Sequence, residues 1–299
     1  MPFSKTMWGG ALVVLLGVVG AAPVGDVEKR GISAVRYHDL AIMSQYAAAA
    51  YCAGNNNSPG TVLTCPQGNC PYVEVADTET LTEFENSLDT DVTGFIALDY
   101  THNIIVLSFR GSVSGDNWAA NLNFSTTETT ICPTCDAWEG FWESWLEAQS
   151  VVLTTIARAL EAYPKYKVIA TGHSLGGAVA SLAAGVLRSQ GVPADLYTFG
   201  SPKLGNFGLV EYLSSRANGT RTIRVTHKDD IVPQLPPGYW HTGPEYYINA
   251  DDGVMPSTDE VEVYNQYLSL KGNEGDIFQS DFDAHAWYFG NITGCQSSD

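Results

Sequence analysis

At 299 residues, with 44% hydrophobic and only 16% charged side chains, the chain holds enough apolar material for a large core and is too apolar for a disordered polyelectrolyte. Its 33 carboxylates against 15 Lys plus Arg give a net charge of −18, which excludes nucleic acid as a partner and disfavours anionic surfaces. Residues 1–22 read as a secretory signal peptide, with Lys5 ahead of a short apolar run that ends near Ala21-Ala22. That run is too short and too glycine-rich for a membrane anchor, so no transmembrane span is expected. Lys29-Arg30 then reads as a dibasic processing site, making 23–30 a short propeptide and 31–299 a single secreted, extracellular domain, expected as a monomer.

Downstream, residues 33–52 are alanine-rich and read as a helix. Residues 94–99 and 104–109 are apolar, β-branched runs joined by a polar turn at His102-Asn103, a hairpin signal. Residues 141–163 carry apolar side chains at three- and four-residue spacing and stop at Pro164, which predicts a helix. A strand over 167–171, a small-residue helix over 175–190, a strand over 196–199, a helix over 206–215 and a strand over 222–226 follow, with further strands within 246–270. Alternation of strand and helix predicts an α/β fold with a mainly parallel sheet covered on both faces.

The six cysteines form an even set in a chain with a leader, which implies disulfides. The economical pairing joins Cys65 with Cys70 and Cys132 with Cys135, leaving Cys52 for Cys295. No His or second Cys-x-x-Cys stands at zinc-ligand spacing, so neither a metal nor another cofactor is expected. Asn56, Asn123, Asn218 and Asn291 head N-x-Ser/Thr sequons and are candidate N-glycosylation acceptors.

The chemical signal is Gly172-His173-Ser174-Leu175-Gly176, which follows one predicted strand and opens a predicted helix. That is the setting of a nucleophile elbow, in which glycines on both sides admit a turn tight enough to push the serine Oγ above the sheet. A serine needs a base to take its proton and a carboxylate to orient that base, and on this architecture they follow in the order Ser, Asp, His. Asp229 and Asp230 both sit just beyond the strand over 222–226. Asp230 runs into apolar Ile231-Val232 and is the better buried carboxylate, whereas Asp229 beside Lys228 reads as solvated. His285 lies among aromatics on a late loop; His241 is the rival base, and spacing favours His285 without deciding it. His173 reads as a hydrogen-bonded neighbour of the nucleophile, His227 as structural, and His38 and His102 as surface or packing residues.

Tyr51-Cys52, Asp91-Val92-Thr93-Gly94-Phe95, Val106-Leu107-Ser108-Phe109-Arg110-Gly111-Ser112, Asn117-Trp118, Asp230-Ile231-Val232-Pro233 and His285-Ala286-Trp287-Tyr288-Phe289-Gly290 join the elbow in a specific pattern. In these motifs the chain resembles the filamentous-fungal class 3 lipases through nearly the whole of residues 31–299. The resemblance implies an α/β-hydrolase fold, Ser174, Asp230 and His285 as the catalytic triad, and the same three cysteine pairs. It further implies oxyanion donors at Ser112, through its backbone N–H and hydroxyl, and at the backbone N–H of Leu175. Arg110 reads as an anchor for the loop between them. The segment 114–124 corresponds to the family's helical lid, offering Trp118, Leu122 and Phe124 to lipid, with Ala119, Ala120 and Val113 making it less greasy and less basic at its hinge than is usual. The implied activity is triacylglycerol hydrolysis at a lipid–water interface through an acyl-enzyme, with acylglycerol as substrate. A feruloyl esterase, or a phospholipase or mono- and diacylglycerol lipase on the same scaffold, is the alternative, and a non-catalytic binding protein is the remote one.

Overall fold

The computed structural model describes residues 29–56, 59–84, 90–112, 125–215, 219–276 and 282–296. The segments expected to form the leader, most of the propeptide and the lid with Trp118, Leu122 and Phe124, together with the sequons at Asn123 and Asn218, lie outside the described residues.

Eleven strands are described. A long sheet takes β1 (Lys29–Arg30), β2 (Thr78–Phe84), β3 (Gly94–Asp99), β4 (Ile104–Phe109), β7 (Lys167–His173), β8 (Ala194–Phe199), β9 (Thr222–His227), β10 (Glu245–Ile248) and β11 (Val261–Tyr264). Their spatial order is β1-β11-β10-β9-β8-β7-β4-β3-β2, and β5 (Thr126–Glu128) pairs with β6 (Asp136–Trp138) in a small separate ribbon. The stretch from β4 through β10 is parallel, while both flanks are antiparallel. Strands buried on both faces read as continuous apolar runs, and the two-residue period sorts them here. In β4, Ile105, Leu107 and Phe109 face one core while Ile104 and Val106 face the other.

The first core lies under α3 (Glu139–Ala162), α4 (Leu175–Ser189) and α5 (Phe207–Ser214). The second lies under α1 (Ala34–Ala49) and the C-terminal segment around Tyr288 and Ile292; α2 (Pro71–Glu74) is a single turn beside it. Ser33 caps α1, its Oγ accepting from Arg36 N–H at 3.2 Å, and alanines 47–50 are wholly buried, so the helix approaches the sheet closely. The same device works in α4, whose Gly and Ala positions and Ser181 are buried.

Three features depart from the sequence expectation or extend it. Strand β2 was unforeseen because its Thr-Glu-Thr-Leu-Thr-Glu-Phe run is half polar and sits at the sheet edge, with one face wet. Lys29-Arg30, expected as a processing site, forms an edge strand paired to Val263 and Glu262. Of the two described sequon asparagines, Asn56 is buried with its amide nitrogen donating to Ala50 O at 2.9 Å, whereas Asn291 is exposed. The disulfides are Cys52–Cys295, Cys65–Cys70 and Cys132–Cys135, the pairs expected.

Candidate active site

The carboxyl ends of β7, β8 and β9 converge on Ser174. It stands between β7 and α4 at φ 57°, ψ −131°, a left-handed conformation that costs a side-chain-bearing residue about 1–3 kcal/mol. Its N–H donates to Phe199 O of β8 at 2.9 Å and its carbonyl accepts from Gly177 N–H at 2.9 Å, so the turn is clamped from both ends. There is no room for side chains on either flank. A Cβ on Gly172 would stand 2.3 Å from Gly176 O, and one on Gly176 would stand 2.2 Å from Phe109 O. That is the physical content of the G-x-S-x-G pattern.

Asp230 is fully buried just beyond β9, where Asp229 turns the chain at φ 64°. Among the described residues its carboxylate meets only donors. Val232 N–H reaches Oδ1 at 2.9 Å, the Tyr288 hydroxyl reaches Oδ2, and His285 Nδ1 lies 2.9 Å from Oδ2 and 3.1 Å from Oδ1. His285 Nδ1 therefore carries its hydrogen toward the carboxylate. Its Nε2 is buried and has no protein partner among the described residues. Asn273, also buried, donates from Nδ2 to Asp230 O at 2.7 Å and to His227 O at 2.9 Å, fixing the turn that presents the carboxylate. Asp229 is only half-buried, and neighbouring Lys228 pairs with Asp251 at 2.9 Å.

His241 is chemically spent. Its Nδ1 accepts from Thr242 N–H at 2.9 Å and its Nε2 donates to Ser201 O at 2.8 Å. Burial, with Arg224 nearby, pushes its pKa well below the usual histidine value and keeps it neutral. His173 is likewise held neutral by burial and by the proximity of His285. Its Nδ1 accepts from the Tyr51 hydroxyl at 2.7 Å, its Nε2 donates to His285 O at 2.8 Å, and its ring packs 4.4 Å from that of His285. His227 donates to Lys228 O at 2.7 Å. His38 packs on Tyr72, and His102 pairs with Asp99.

Beyond β4 the chain passes directly over Ser174, since a Cβ on Gly111 would lie 2.9 Å from Ser174 Cβ. Ser112 follows, half-buried. Arg110 anchors this exit by pairing with Asp91 at 3.0 Å. Leu175 is the first residue of α4, where N–H groups have no intrahelical acceptor and point at whatever sits above the helix end. Sequence reasoning passed over Tyr51, Asn273 and Tyr288. Tyr51 and Tyr288 stand in the family motifs, where their letters give no role, and nothing in the local sequence of Asn273 marks it. Burial pushes the hydroxyl pKa of both tyrosines upward, Tyr288 further under the influence of Asp230, so both remain phenols.

A mainly parallel sheet that carries a serine on a strained strand–helix elbow, with an Asp–His pair brought from later loops in the order Ser, Asp, His, is the α/β-hydrolase arrangement. Comparison with known proteins narrows the class. The profile of Lipase (class 3) matches residues 106–240, and that of the Lipase 3 N-terminal region matches residues 11–82. The secreted mono- and diacylglycerol lipase A of Penicillium camembertii is 38% identical over 278 residues, 91% of this chain and 90% of that protein. The crystal structure of the mono- and diacylglycerol lipase of Aspergillus oryzae superposes with a TM-score of 0.82 at 38% identity, covering 87% of this chain and 98% of that one. A triacylglycerol lipase whose catalytic centre is formed by a serine protease triad superposes at 0.77 with 28% identity, covering 89% and 99%. The chain belongs to the class 3 lipase family and is a carboxylic ester hydrolase.

Proposed function

We propose that the protein is a secreted lipase that cleaves acylglycerol esters through an acyl-enzyme on Ser174. The observation that carries this reading is the division of labour on His285, with Nδ1 committed to Asp230 and Nε2 buried without a protein partner, among the described residues, beside the elbow. In the reaction Ser174 Oγ attacks the ester carbonyl as His285 Nε2 takes its proton. The same nitrogen returns that proton to the departing alcohol oxygen, leaving the acyl group on the serine. Asp230 holds the imidazole in the required tautomer and stabilises the imidazolium. The backbone N–H groups of Ser112 and Leu175, with the Ser112 hydroxyl, receive the negative charge of the tetrahedral intermediate. Water then repeats the cycle and releases the fatty acid.

Among acylglycerols, the 38% identity to mono- and diacylglycerol lipases, against 28% to the triacylglycerol lipase, favours partial glycerides over the triacylglycerol first expected. The segment 114–124 serves as the lid, with Trp118, Leu122 and Phe124 turned to lipid when it opens. Initial rates on emulsified monoolein, diolein and triolein, on phospholipid and on a feruloyl ester test this. Diolein is expected to be fastest. A feruloyl ester turned over faster than every glyceride refutes the reading. Trp118→Ala is expected to reduce turnover of emulsion far more than of a soluble short-chain ester, and equal losses would refute the lid role.

A further inference from the structure

Tyr51 leaves the end of α1 under constraint from both sides. Its N–H donates to Ala48 O at 3.0 Å and that of Cys52 to Ala49 O at 3.1 Å, which prolongs the helix turn. The Cys52–Cys295 disulfide then ties the next residue to the C-terminal segment. With its backbone held in this way, the side chain is buried and ends beside the elbow. A phenylalanine would fill the same space, and a buried hydroxyl costs stability unless it is hydrogen-bonded. The oxygen of Tyr51 therefore calls for a reason of its own.

That oxygen touches two parts of the site at once. On one side it donates to His173 Nδ1 at 2.7 Å. On the other it stands against Gly111, where a Cβ would lie 2.3 Å from Oη, 2.9 Å from His173 O and 2.9 Å from Ser174 Cβ. Burial raises the pKa of the phenol and the Gly111 backbone N–H pulls against that rise, so the hydroxyl oxygen faces this amide. Gly111 leads directly into Ser112, the oxyanion donor of the proposed reaction.

His173 carries the contact onward. A carbonyl only accepts, so the 2.8 Å contact of Nε2 with His285 O puts the ring's hydrogen on Nε2 and leaves Nδ1 as the acceptor for Tyr51. Burial, with His285 nearby, keeps the ring neutral. Gly111, Tyr51, His173 and His285 thus form an uncharged chain from the oxyanion exit, past Ser174, to the backbone of the base. It takes up neither His285 Nε2 nor Ser174 Oγ, and no step of acyl transfer passes through it.

We propose that Tyr51 and His173 are positioning residues that hold the oxyanion exit at Gly111-Ser112 and the base His285 in one fixed relation, an assignment that rests on the acyl-enzyme reading above. The ester carbon, its oxygen and the leaving alcohol must meet Ser174, the oxyanion donors and His285 together. A displacement of about 1 Å between such groups costs about 10² in rate. The donors and the base come from opposite ends of the chain, and Tyr51 is where a single atom gauges one against the other.

The test is Tyr51→Phe in the full chain, which keeps the ring and removes one oxygen. Turnover of dissolved p-nitrophenyl butyrate is measured per site titrated to completion with a serine-directed organophosphate, so that unfolded molecules do not enter. kcat is expected to fall about 10- to 100-fold, the scale of one buried hydrogen bond expressed in the transition state, with KM within about twofold. Inhibition by butylboronic acid, which forms a tetrahedral adduct on Ser174 Oγ, is expected to weaken by the same factor. His173→Asn keeps an acceptor toward Tyr51 and loses the donor to His285 O; the double variant is expected within about threefold of the poorer single one. Unchanged kcat per titrated site overturns the proposal, and so does a loss carried in KM. Equal boronate affinity in Tyr51→Phe and the parent overturns it too, since the tetrahedral state would then be indifferent to the hydroxyl. Losses that multiply in the double variant mean two separate supports and overturn the chain. Full turnover by Ser174→Ala would instead strike at the acyl-enzyme reading itself.

Discussion

The substitution Asp230→Asn changes one atom's chemistry and leaves the volume intact. Its consequence follows from the donors around the carboxylate. Val232 N–H, 2.9 Å from Oδ1, is a backbone donor that cannot turn away, so the oxygen of the new amide must stay there. The amide NH₂ then occupies the Oδ2 position, beside the Tyr288 hydroxyl and His285 Nδ1. The hydroxyl can rotate to accept. The imidazole can accept at Nδ1 only by moving its proton to Nε2, which destroys its capacity to deprotonate Ser174. As in other triads, the wrong tautomer should cost about 10⁴ in kcat, or roughly 5.5 kcal/mol of transition-state stabilisation. The assay is kcat on a dissolved short-chain ester, with labelling by a serine-directed organophosphate as a second reading. Both should fall together, while the urea unfolding midpoint moves little because packing is unchanged. An Asp230→Asn enzyme within tenfold of the parent would refute the tautomer argument and with it the role of Asp230.

Ser112→Ala removes a hydroxyl but keeps the backbone donor, so kcat should fall about 10²–10³-fold with KM little changed; an unaltered kcat would mean that the hydroxyl does not reach the oxyanion. Acid should destabilise the fold early. His173 and His241 are buried and neutral, with native pKa values held well below the unfolded 6.5. The unfolded chain therefore binds more protons below pH 6.5. The stability these residues contribute is intact above that value and falls by about 1.4 kcal/mol per group for each pH unit below it, until the native values are reached. Urea titrations between pH 7 and 5.5 should show that slope, and His241→Gln should roughly halve it; a flat profile would refute the assignment. Peptide mapping of the protein expressed in a glycosylating host should find glycan at exposed Asn291 and none at buried Asn56, and an occupied Asn56 would refute the burial argument.

The sequence by itself determined the features that live within a few residues of one another. Alternation through Ile104–Phe109 and Gly94–Asp99, the three- and four-residue spacing before Pro164, and the small residues after Ser174 each carry one element's period, and those elements appear within a residue or two of expectation. The elbow was legible for the same reason, because Gly172 and Gly176 answer a clash set up by the turn itself. The tertiary structure decided the rest. Spacing left His241 and His285 both open, and the first is nearer Asp230 in sequence. Packing instead commits both nitrogens of His241 to backbone groups and brings His285 to Asp230 across 55 residues. Tyr51 reaches His173 across 122 residues and His173 reaches the carbonyl of His285 across 112. Local sequence encodes dihedral preference and periodicity, which act over a turn or a pleat; which distant polar groups meet is settled only when two cores close on a sheet and every buried donor has to find an acceptor.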